Sequence, residues 1–209
     1  MSVQFLASES LITRARNYFA AAFLADESLT HLLFIDSDIG FEPQAVFDLV
    51  QSGLDVVGCA YPMKVTSIAN IKHALIKYPD ATEEEIKKKS SVFVWNPRPN
   101  APPTSSKDFI EVNAAGTGFL CISKDAVKRM AEAFPELKYT NDVSGYSSVD
   151  ATTYALFDTM IHEGRFLSED FSFCERYRSI GGKIFLCVNH LLTHTGPNTF
   201  SGCLADQLS

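Results

Sequence analysis

The sequence predicts a single α/β domain over residues 1–209, a Rossmann-like, mostly parallel sheet flanked by helices. Three observations carry this. An apolar run of strand length, His31-Leu32-Leu33-Phe34-Ile35, stops at two carboxylates one residue apart in Asp36-Ser37-Asp38. Strand and helix patterns alternate as β-α-β-α-β up to residue 60, which implies parallel neighbours joined by right-handed crossovers. A chain of 209 residues is long enough to bury one sizeable core.

The first element in that order is a short apolar run over residues 2–7, read as a strand. Leu11, Ile12, Ala15, Tyr18, Phe19, Ala22 and Phe23 then repeat at helical spacing, with Ser8 or Ser10 as the cap. Arg14, Arg16 and Asn17 fall on the first turns, where the helix dipole favours anions rather than guanidiniums. They suit an anion site, or they are solvated arginines. The run 31–35 reads as a buried central strand, and ligands in open α/β sheets gather beyond the carboxyl ends of such strands. Side chains two apart on a strand share a face, so Asp36 and Asp38 can address one cation. Hard oxygen donors suit Mg²⁺ or Mn²⁺, and through them a diphosphate. A D-x-D taken alone also serves simply to end a strand and begin a turn.

Pro43 opens a helix over residues 44–51, and residues 55–60 form another buried strand ending at Tyr61-Pro62-Met63-Lys64. Glu83-Glu84-Glu85 followed by Lys87-Lys88-Lys89 gives three i,i+4 pairs on a solvated helix. Residues 91–95 read as a strand. Four prolines make residues 96–107 a loop, either a flap or a surface connection. Residues 109–123 read as strand, Gly116-Thr117-Gly118, strand, the glycines marking a bulge or a close approach by a ligand. Ser123 caps a helix with Val127, Met130, Ala131 and Phe134 on one face, and residues 135–160 have no clean period. Ser168 caps the next helix, placing Glu169 and Asp170 where the dipole keeps them ionised. That placement serves a function or is a plain helix start. Gly181-Gly182 ends the helix, and residues 183–189 form the last strand. His194 then sits in a Thr/Gly-rich turn, as a structural histidine or as a third ligand beside the two carboxylates.

The net charge of −7 excludes a nucleic-acid surface. Five scattered cysteines without C-x-x-C spacing read as reduced core residues. With no leader-like start, they predict a cytoplasmic protein. No apolar run approaches the ~20 residues of a membrane span.

With these stretches in hand, the chain resembles the metal-dependent, nucleotide-sugar glycosyltransferases of the GT-A fold, closest to their compact bacterial, phage and large-virus members. The resemblance rests on E-S-L-I-T-R-A-R-N (9–17), T-H-L-L-F-I-D-S-D-I-G-F (30–41), D-V-V-G-C-A-Y-P-M-K (55–64), G-T-G-F-L (116–120) and S-E-D-F-S-F-C (168–174), in order, with His194-Thr195-Gly196 matching the family's C-terminal histidine. It implies Mn²⁺ or Mg²⁺ held by Asp38 and His194, with Asp36 on the ribose or sugar and on the metal through water. Arg14, Arg16, Asn17, Ser37, Tyr61 and Lys64 would line the nucleotide-sugar donor, a UDP-sugar by family expectation. Gly116, Thr117 and Gly118 would let backbone approach the sugars. Asp170, in the pair with Glu169, would be the general base of an inverting transfer to a saccharide or other hydroxyl acceptor. Family members usually begin with a further β-α unit; here 35 residues precede Asp36, filled by one strand and one helix, which implies that this unit is missing. Two other readings compete. A truncated scaffold would bind sugar or nucleotide without turnover. A D-x-D phosphohydrolase of the haloacid-dehalogenase type would need an acidic G-D-x-x-x-D stretch, which the chain lacks.

Overall fold

The structure, a computed structural model, describes residues 2–6, 9–101, 104, 107–141 and 147–208. The elements in chain order are α1 (Ile12–Ala25), β1 (His31–Ile35), β2 (Ile39–Gly40), α2 (Pro43–Gln51), β3 (Val56–Cys59), α3 (Ile68–Lys77), α4 (Glu83–Lys89), β4 (Trp95–Pro97) and β5 (Phe109–Ala115). There follow β6 (Phe119–Ser123), α5 (Lys124–Ala133), β7 (Met160–His162), β8 (Arg165–Leu167), α6 (Glu169–Ser179), β9 (Ile184–Cys187), β10 (Leu192–Thr195), β11 (Thr199–Gly202) and α7 (Ala205–Leu208). The chain forms two compact units, residues 1–32 with 122–182 and residues 33–121 with 183–209.

The protein is a mixed α/β fold. Its largest sheet has the order β1-β6-β3-β9-β5-β4. β3 and β9 run parallel, with Val57 opposite Phe185. β9 and β5, and β5 and β4, run antiparallel. Backbone bonds from Lys124 N–H to Thr30 O and from Asp36 N–H to Gly118 O close the two ends of the β1–β6 pair, and that crossing order makes it antiparallel. The expectation of a mostly parallel sheet is therefore corrected. Parallel neighbours need a crossover of a dozen or more residues, and β4, β5 and β6 follow one another with no helix between them. The D-x-D strand is not central either. β1 stands at one edge of the sheet, and Phe34 alone of its five residues is buried.

The second unit's core gathers Ile39, Ala45, Leu49, Val57, Phe119 and Leu192 around β3 and β6. In the first unit, Phe157 stacks on Phe173 at 4.4 Å and Phe173 on Tyr177 at 6.5 Å, all three fully buried. α6 ends as its sequence foretells: Gly181 takes φ +83°, Gly181 N–H reaches Arg178 O, and Gly182 N–H reaches Tyr177 O.

Several local expectations are corrected. The described residues 2–6 form no strand; Ala7 and Ser8 lie outside the described residues. Ser10 does not cap α1, because the Glu9 carboxylate takes the Leu11 N–H instead. The strand expected at 91–95 begins at Trp95 and takes in Pro97, at the sheet's other edge, where a missing N–H costs no ladder bond. Of the three expected Glu–Lys pairs on α4, Lys87–Glu83 and Lys88–Glu84 form. Glu85 turns back to the Thr82 N–H and completes a capping box. Ser123 caps α5 as expected, accepting from Ala126 N–H.

Candidate functional site

Asp36-Ser37-Asp38 leaves β1 as a turn, closed by Ile39 N–H on Asp36 O at 3.0 Å. Asp36 and Asp38 are thus not successive same-face residues of one strand. β2 follows at once and pairs antiparallel with β10, setting Ile39 opposite His194 and Gly40 opposite Thr193. That approach needs glycine, since a Cβ on Gly40 would lie 2.4 Å from Thr193 Oγ1. Thr195 N–H donates to Asp38 O at 2.8 Å and fixes the turn against β10. His194 therefore lies in a strand rather than in the expected turn.

This register sets His194 Nε2 3.5 Å from Asp38 Oδ1. His194 Nδ1 lies 2.8 Å from Pro62 O. A carbonyl can only accept, so the proton belongs on Nδ1, and in the neutral ring Nε2 presents a lone pair towards a carboxylate. Such an arrangement matches histidines that ligate metals, whose second ring nitrogen is tied to a carbonyl or carboxylate. Buried Tyr61 packs edge-on to the imidazole, centroids 5.5 Å apart. On the other carboxylate oxygen, Lys64 Nζ lies 2.5 Å from Asp38 Oδ2. Among the described residues no three His, Cys, Asp or Glu side chains gather as a metal cluster, so Asp36 is not grouped with Asp38 and His194.

Partial burial pushes the Asp38 carboxyl up, but the hydrogen bond and charge of Lys64, together with His194 when its ring is protonated, outweigh it. The carboxyl is held below the usual carboxylate range. A depressed folded value stabilises the protein above the unfolded carboxyl's pKa and stops doing so as pH falls through the lower folded value. Denaturation at neutral pH and near pH 3 should therefore show an acid-side loss of stability in the wild type that is smaller in Asp38→Asn. The loss is modest, because the Lys64 and Asp38 side chains remain about one-third exposed.

Gly116, Thr117 and Gly118 are buried, Thr117 with 1% exposure. A Cβ on Gly116 would lie 2.3 Å from Tyr61 Oη, and one on Gly118 2.7 Å from Tyr61 Cζ. The Gly118 N–H donates to Tyr61 Oη at 3.2 Å. These glycines make room for the Tyr61 ring. Ser37 is exposed at the tip of the turn.

The other candidate residues belong to the first unit. Arg14 forms a two-pronged bond to Glu9, at 2.8 and 2.7 Å. Arg16, 5% exposed, has Nε 3.5 Å from Glu169 Oε1. Asn17, 4% exposed, accepts Phe157 N–H at 2.9 Å and so ties α1 to the chain beyond α5. Asp170 lies in the first turn of α6, where its Oδ1 accepts Phe171 N–H at 2.8 Å and the Ser168 hydroxyl. Ser168 is at the N-cap as expected, but its oxygen caps no backbone N–H. Two contributors escaped the sequence reading. Glu9 left a trace, an acid five residues before Arg14. The Pro62 carbonyl left none, being backbone.

No protein-family model matches this sequence, and no curated protein matches it. Among solved structures the chain is similar to the crystal structure of A197 from STIV, with 15% identity and a TM-score of 0.47 over 91% of this chain and 71% of that one.

Proposed function

We propose that this chain is a metal-dependent glycosyltransferase that moves a sugar from a nucleotide sugar, a UDP-sugar by family resemblance, to an acceptor hydroxyl with inversion. The observation that carries the reading is the Asp38–His194 pair, a carboxylate oxygen and an imidazole nitrogen 3.5 Å apart with the imidazole's other nitrogen tied to Pro62 O. One hard oxygen and one neutral nitrogen fit Mn²⁺ or Mg²⁺. A divalent cation bound there would neutralise the departing diphosphate. Lys64, on the second oxygen of Asp38, brings a further positive charge to the same side chain.

Asp170 is assigned the proton. Its carboxylate takes the hydrogen of the acceptor hydroxyl while that oxygen bonds to the anomeric carbon. The bond from that carbon to the phosphate oxygen breaks, and its electron pair leaves with the nucleoside diphosphate. Asp170 stands in the first turn of α6, the end of a helix that favours negative charge. Glu169, paired with Arg16, orients the start of the same helix. The ordered motifs around these residues support the same reading.

The test is release of nucleoside diphosphate from a panel of nucleotide sugars, with and without Mn²⁺. Metal-dependent release from one donor is the expected result. Binding of UDP with metal, but silence across the panel, would replace the transferase with a non-catalytic scaffold. Absence of any nucleotide binding would overturn both.

A further inference from the structure

Asp38 turns its two oxygens to different partners. Oδ1 faces His194 Nε2 at 3.5 Å, and Oδ2 takes the Lys64 ammonium at 2.5 Å. Both partners meet the chain just beyond β3. His194 Nδ1 lies 2.8 Å from Pro62 O, and Met63 N–H donates to Val92 O at 2.6 Å. The backbone is therefore tied down at the two residues before Lys64. From there the Lys64 stem runs past Gly196, which follows β10. A Cβ on Gly196 would lie 3.0 Å from Lys64 Cδ and 3.6 Å from Cε. The Lys64 side chain is 33% exposed. Its root is fixed, while its ammonium, on a flexible four-carbon stem, can swing.

An ammonium and a divalent cation on one carboxylate repel each other, more strongly where water is partly excluded. The Lys64 charge and a cation held by Asp38 and His194 therefore compete for the same side chain. Lysine also binds phosphate, as a compact point charge. A nucleoside diphosphate beside the cation offers the ammonium a second anion.

We propose that Lys64 is a tethered counter-cation that holds Asp38, passes to the diphosphate when that group binds, and so makes diphosphate and divalent cation raise each other's affinity. The inference rests on the divalent-cation reading of Asp38 and His194 given above, and adds to it the residue that couples the site's two ligands. By linkage, the factor by which the diphosphate favours the cation is the factor by which the cation favours the diphosphate. Lysine suits this exchange. An arginine at the same place could grip the carboxylate through two parallel bonds and release it less readily.

The test is Mn²⁺ titration of the full chain, read from the electron paramagnetic resonance of the free ion. It is run with and without UDP and corrected for the Mn²⁺ that UDP binds by itself. Lys64→Met keeps a stem beside Gly196 and removes the charge. Without UDP this variant should bind Mn²⁺ at least about fivefold more tightly than wild type. The gain in Mn²⁺ affinity that UDP confers should shrink by the same factor. Lys64→Gln is run beside it, so that a misfolded methionine variant, detected by circular dichroism, leaves a second reading. Lys72→Met, which removes an equal charge on α3, measures the effect of charge alone. An affinity that rises equally with and without UDP, or no more than in Lys72→Met, overturns the hand-over while the metal site stands. Unchanged affinity in the Lys64 variants overturns it likewise, as does a wild type whose Mn²⁺ affinity UDP does not raise. A wild type that leaves the free-ion signal unchanged in both conditions removes the metal site itself, and this inference with it.

Discussion

Replacing Asp38 by asparagine is expected to lower metal-dependent release of nucleoside diphosphate by at least about 100-fold, because loss of mere outer-shell partners of a metal already costs 10–100-fold. The amide is nearly the carboxylate's shape, and its oxygen can still accept from Lys64, so folding should survive. What disappears is the anionic donor opposite His194 Nε2. Circular dichroism and the release assay read the two properties separately. A variant that folds and releases diphosphate at the wild-type rate would remove Asp38 from the proposed site.

The complementary expectation concerns Asp170→Asn. General-base catalysis contributes roughly 10²–10⁴-fold, and transfer should fall by that factor while UDP affinity in the presence of Mn²⁺ is retained. Asparagine Oδ1 can still accept the Phe171 N–H and the Ser168 hydroxyl, the two bonds that hold this side chain now. The start of α6 should therefore persist. Transfer rate and nucleotide affinity, measured on the same sample, distinguish the roles. A parallel loss of affinity would make Asp170 a donor-binding or structural residue. An unchanged transfer rate would exclude it as the base.

What the sequence made legible was local. The stop of α6 at Gly181-Gly182, the Ser123 cap and the Pro43 start of α2 each depend on neighbours within a few residues, and each forms as read. The capping box of Thr82 and Glu85 is equally local, yet one expected ion pair gave way to it because Glu85 cannot serve both partners. Sheet order was not legible. A buried apolar run such as residues 31–35 does not announce whether a second neighbour exists, and β1 proved to be an edge strand. Parallel pairing was inferred from a strand and helix alternation whose first strand does not form in the described residues 2–6 and which β2, directly after β1, interrupts.

The candidate site divides in the same way. Asp38 was visible from a spacing of two residues, but the reason given, a shared strand face, does not hold in a turn closed by Ile39 on Asp36. His194 meets Asp38 because β10 pairs with the two-residue β2, a contact across 156 positions that no periodicity reveals. The glycines at 116 and 118 were read as a bulge or a close approach by a ligand. The approaching group is the Tyr61 ring, which lies 57 residues from Gly118. Arg16 and Asn17 were read as flanking an anion or nucleotide site, with solvated arginines as the alternative; both side chains are buried, against Glu169 and Phe157 far along the chain.

The most direct test of the central claim, that Asp38 and His194 form a divalent-cation site serving a diphosphate, is titration of Mn²⁺ followed by electron paramagnetic resonance of the free ion. It would be run on wild type and Asp38→Asn, each with and without UDP. The account predicts one Mn²⁺ per wild-type chain, bound more tightly when UDP is present, and loss of that binding in the variant. Wild-type protein that leaves the free-ion signal unchanged with UDP present, or a variant that binds as the wild type does, would contradict it.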